Sequence, residues 1–148
     1  MTRASDGTRD ERGQVSLLIV GFTIVAIMVV AVAVDASAAY LRRAGLDSLA
    51  DGAALAATDG IAGRQVYEGG LGERAEIDPE LARGLVEDYL RAAGAARRYP
   101  GFGFAVEAGA GRVVVRVAAP LDLPITPPGW DRRPVVSGTA ASFVAVSP

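Results

Sequence analysis

The chain has 148 residues, a formal net charge of −2, and neither cysteine nor histidine. Those two absences exclude disulfides, Cys- or His-based metal sites and nucleophile–His dyads. All fifteen basic residues are arginine and they form no patch, so nucleic acid is not an expected partner.

Residues 1–14 (MTRASDGTRDERGQ) are polar and read as a cytoplasmic N-terminal segment. Val15 to Val34 then runs twenty residues without a charge. At about 1.5 Å per residue this makes about 30 Å of helix, the thickness of a bilayer's hydrocarbon core. Its polar members, Ser16 and Thr23, can bond back to the preceding turn. Residues 15–34 are therefore expected to be a transmembrane helix. Arg3, Arg9 and Arg12 precede it, whereas Arg42 and Arg43 lie further off beyond it, which favours a cytoplasmic N-terminus and an extracytoplasmic C-terminal domain. Ala36-Ser37-Ala38 offers a signal-peptidase site. The apolar run exceeds a signal peptide's usual length, however, and the helical pattern continues through the site.

Asp35 marks the membrane exit. It is read either as solvated at headgroup level or as the partner of a cation on a neighbouring subunit. Residues 35–60 are rich in Ala and Leu, lack Pro and end in Thr58-Asp59-Gly60, a helix stop. One helix from about Gln14 to Ala57 is expected, half in lipid and half projecting outward. Leu41, Ala44, Leu49, Ala53 and Ala56 trace its apolar stripe. The outer half has little side-chain bulk, so Ala44, Leu49, Gly52, Ala53 and Ala56 are the candidate surface for packing against another helix.

Residues 61–148 are expected to form a small outer domain, beginning with a Gly-rich loop over 61–76. Asp78-Pro79-Glu80 reads as a capped helix start, and Leu81, Leu85, Val86, Tyr89 and Leu90 give that helix an apolar face. Tyr99-Pro100-Gly101 is a turn signal. Phe102, Phe104 and Val106 alternate with smaller or polar residues as in a strand, Ala108 to Gly111 makes a hairpin turn, and Arg112 to Ala118 returns. A third strand is expected from Val135 to Val146. Pro120 to Pro134 holds five of the eight prolines and should be irregular; Trp130 on it is a possible contact point. The fold class is α+β: a long N-terminal transmembrane helix extending outward as a stem, then one helix on a three-stranded antiparallel sheet.

Several of these residues carry a family pattern. Glu11-Arg12-Gly13-Gln14-Val15, Ala33-Val34-Asp35, Tyr40-Leu41-Arg42-Arg43 and Leu49-Ala50-Asp51-Gly52-Ala53-Ala54-Leu55-Ala56-Ala57 follow one another as in TadE/TadG-like proteins of the Tad (Flp) pilus assembly system, which the chain resembles over residues 11 to 58. The resemblance implies a membrane-anchored component of a pilus or secretion machine related to type IV pili. Its partners would be lipid and other pilus or secretion components, including pilin-like subunits. Gly13 and Gln14 are the possible processing position. Cleavage there would leave Leu18 where processed pilins usually carry Glu, which favours an uncleaved anchor.

No constellation supports catalysis, and no motif calls for a cofactor, a metal or a small-molecule substrate. Gly69-Gly70-Leu71-Gly72 lacks the Lys of a phosphate loop. The expected function is structural, through helix–helix packing of the stem. The second reading is a membrane-tethered binding module that uses the outer sheet and Trp130.

Overall fold

The computed structural model describes residues 8–67, 77–125 and 133–144. Its dominant element is α1, Thr8–Tyr67, a single unbroken helix of 60 residues, about 90 Å long at 1.5 Å per residue. From Gly13 to Val34 every residue except Ala31 is exposed, including Leu17, Phe22 and Val32. An apolar surface of this extent is stable only under a nonaqueous cover. By length and composition this is the one helix among the described residues able to cross a membrane.

The helix runs further than expected at both ends. It begins at Thr8 rather than Gln14, and Thr58-Asp59-Gly60 does not stop it. The first seven residues expected as loop, 61–67, are helical; residues 68–76 lie outside the described residues. The physical reason is Ile61, whose side chain is only 3% exposed in the core and would be lost from it if the helix ended earlier. Thr58 is satisfied inside the helix, its hydroxyl within bonding distance of the Ala54 and Leu55 carbonyls.

α2, Pro79–Ala92, starts as expected: Asp78 is the N-cap, its carboxylate accepts from the Glu80 amide at 2.9 Å, and Pro79 fills the first turn. Ala82, Val86 and Leu90 are buried along its inner face. It ends at Ala92 with Ala93 as its C-cap; Gly94, whose φ of 66° lies in the left-handed region, follows the cap, and one further turn, α3 (Ala95–Arg98), comes next. The small C-terminal domain thus holds that extra turn besides the expected helix.

Three antiparallel strands follow, β1 (Gly103–Gly109), β2 (Arg112–Pro120) and β3 (Val135–Phe143), in that spatial order. Between β1 and β2, Ala110 and Gly111 take φ of 48° and 74°, the pair of positive values that a two-residue type I′ hairpin requires. β3 ends at Phe143, where the Val144 amide turns to the Gly111 carbonyl; positions 145 and 146 of the expected strand lie outside the described residues. Val113, Val115 and Val117 are all buried, and α1 and α2 cover that face of the sheet together, α1 over β2 and β3, α2 beside β1.

The stem is therefore not separate from the head. Leu46, Ala50, Ala53, Ala54, Ala57 and Ile61 of α1 are part of one core with α2 and the sheet. Of the apolar stripe read from the sequence, Ala53 lies in this core, whereas Leu41 and Ala44 are exposed, Leu41 by 69%. In a segment nearly all Ala, Gly and Leu, several helix faces are equally apolar, and the sheet selects among them.

Candidate functional site

The features that bear on function lie along α1, where the stem leaves the apolar span and enters the head. Above the exit, close approach is set by residues without side-chain bulk. A Cβ on Gly52 would collide with the Tyr89 hydroxyl of α2, and one on Gly45 with the Tyr99 hydroxyl. A Cβ on Gly138 of β3 would stand 2.7 Å from the Leu46 carbonyl carbon and the Asp47 nitrogen, so the α1 backbone rests directly on the sheet. Of the expected helix-packing residues, Ala53 is fully buried, Leu49, Gly52 and Ala56 are half-buried, and Ala44 is exposed. The smooth surface accommodates this chain's own α2 and β3, and Ala44 stands on the side left open with Tyr40, Leu41 and Leu55.

Lower on the stem, two polar side chains reach the last residue of β2 and the segment that follows it. The Arg42 guanidinium lies 4.9 Å from the centroid of the Tyr99 ring and donates from Nη2 to the Pro120 carbonyl at 2.8 Å. Asp35 Oδ1 accepts from the Ile125 amide at 3.0 Å. Neither contact was legible beforehand, because each joins residues 78 and 90 positions apart. The stretch expected to be irregular is so from Leu121 to Ile125, while Pro120 closes β2 opposite Val135. Its two sides are joined at the neck by Leu121 N to Pro134 O, 2.7 Å, and by the Arg133–Asp122 ion pair, 3.2 Å. Trp130 lies outside the described residues. Gly13 and Gln14 are exposed positions within α1.

A shallow cleft between α2, α3 and β1 is floored by Leu90, Phe102 and Phe104, with Glu87, Arg91 and Arg97 around it. Arg91 is engaged by Glu87 and Asp88 at 3.1 and 2.7 Å. Ligand pockets depend on a few convergent polar groups, and here the pairing on α2 already occupies one of them. Among the described residues no group of three or more His, Cys, Asp and Glu is placed to hold a metal.

This geometry defines a class of protein: one helix, apolar enough in its N-terminal half to anchor in a membrane, that continues without a break into the core of a small α+β head. Residues 13–64 match the model of a family described as putative Flp pilus-assembly TadE/G-like. That segment is 52 residues of the 148, all of them in α1, so the similarity is confined to the stem and the sheet lies outside the match. No curated protein and no solved structure matches the chain.

Proposed function

We propose that the protein is a membrane-anchored structural component of a Flp-type pilus assembly or secretion system, with its N-terminus in the cytoplasm and its head outside. It works through the open side of its stem rather than through catalysis. The observation that carries this reading is the family match falling on one rigid element that serves both as apolar span and as core helix of the head. An unbroken helix has no hinge, so the head's position is set by that of the span. A helix in lipid gains little from burying more apolar surface, and its partners are selected by close packing. Beyond the membrane, Leu41, Ala44 and Leu55 stand exposed and supply a surface for a pilin-like neighbour.

The test is genetic and topological. Deleting the gene in its host should abolish Flp pili seen by electron microscopy, and the full chain should restore them. Normal piliation without the protein would refute the assignment. A membrane-impermeant maleimide should label Ala141→Cys in intact spheroplasts but not Ser5→Cys; the reverse pattern would invert the proposed topology.

A further inference from the structure

Residues Leu121–Ile125 form a strap that leaves the sheet and runs back down the stem. Arg42 holds its upper end at Pro120 and Asp35 its lower end at Ile125. Those two stem residues are seven positions apart on α1, so the strap descends by about 10 Å along the helix at 1.5 Å per residue. Five residues of extended chain cover up to about 16 Å, which makes this descent feasible without strain.

Asp35 is where the charge-free run of α1 ends, and an ionised carboxylate keeps to the polar edge of a bilayer. Its bond to the Ile125 amide therefore sets that residue's backbone at the membrane boundary. The side chain is 45% exposed, and it lines one groove with Phe22, Thr23, Ala26, Ile27, Val30 and Ala31. All six belong to the span, and Ala31 is the one residue from Gly13 to Val34 that is partly covered.

We infer that the strap is a second membrane contact. Ile125 enters the hydrocarbon edge of the leaflet on the head's side, and acyl chains fill the groove it shares with the span. The groove is continuous with the lipid-facing surface of the span, so the solvent around one is the solvent around the other. The backbone at both ends of the strap suits that location, since an unsatisfied N–H is costly near hydrocarbon. Pro124 has no N–H, the Leu121 N–H is bonded to Pro134 and the Ile125 N–H to Asp35. The ion pair of Asp122 and Arg133, at the neck, stays on the polar side. A head tied to the bilayer at two points is fixed in tilt as well as in height.

This inference rests on the anchored reading, and the experiment separates the two. The chain lacks cysteine, so Val25→Cys, Ile125→Cys and Ala141→Cys each give a single labelling site for an environment-sensitive fluorophore. Full-length protein is reconstituted in phosphatidylcholine vesicles containing lipids with shallow or deep nitroxides. The label at position 25 should be quenched by deep nitroxide. The label at 125 should be quenched by shallow nitroxide several-fold more than the label at 141, and should be shielded from iodide. With the strap's latch removed by Asp35→Ala, iodide access at 125 should rise while position 25 is unchanged. If 25 is quenched by lipid but 125 behaves like 141, or if Asp35→Ala changes nothing, the strap is not a membrane contact and the anchor stands. If 25 itself is open to iodide, both readings fall.

Discussion

Gly138 of β3 lies against the α1 backbone at Asp47, so close that a methyl group there would stand 2.7 Å from the Asp47 nitrogen. No side chain separates stem from sheet at this point. The apolar span and the head consequently belong to one body, since α1 is continuous from one to the other.

Gly138→Ala should therefore destabilise the head by about 1–3 kcal/mol, the usual cost of overpacking against atoms that cannot rotate away. Urea unfolding of the full chain in detergent micelles measures it, and an unchanged midpoint would mean that the helix and sheet have slack between them.

Gly52→Ala meets the Tyr89 hydroxyl and ring instead. It should cost about 1–3 kcal/mol in the parent and measurably less in a Tyr89→Leu background. A double-mutant cycle over the four variants reads the difference directly, and additivity would place Gly52 away from α2.

Thr58 is the one buried polar residue among the described residues, and its hydroxyl lies 2.9 Å from that of Ser142 on β3. Thr58→Val leaves Ser142 without this partner and should destabilise by about 1 kcal/mol. Thr58→Val with Ser142→Ala should lose less than the two single changes added together, because no donor is then stranded.

Ala110 holds a φ of 48°, a region an L side chain with a Cβ enters at some cost. Ala110→Asn, which tolerates the left-handed conformation, should raise stability by about 0.5–1 kcal/mol. A higher thermal midpoint with unchanged circular dichroism would bear this out.

Leu41→Glu and Leu55→Glu change exposed positions on the open side of the stem. Each should shift unfolding by no more than about 0.5 kcal/mol and yet reduce piliation in the complementation assay. Full piliation by both variants would remove this side from the proposed contact.

Much of this molecule could be read without coordinates. The Asp78 cap, the inward Val113, Val115 and Val117, and the hairpin at Ala110 follow from patterns within a few residues of chain, and the structure contains each of them. The stem's packing face could not be read this way. Leu41 and Ala44 fit a helical stripe as well as Leu46 and Ala50 do, and the weak contrast among small side chains left the choice to the sheet. Thr58-Asp59-Gly60 resembles a stop, yet Ile61 has a core to enter and the helix continues. No local pattern gives Arg42 a partner, whereas in the fold its guanidinium lies over Tyr99 and bonds to Pro120.

The division has a physical basis. An apolar run long enough to cross a bilayer is a local property, additive over adjacent residues, and the text from Val15 to Val34 suffices to specify it. What approaches Gly52, what Gly138 makes room for, and which amide the Asp35 carboxylate receives are pairings across 37 to 92 positions of chain. Such pairings depend on every intervening element reaching its place, so they exist only once the sheet has closed onto the stem.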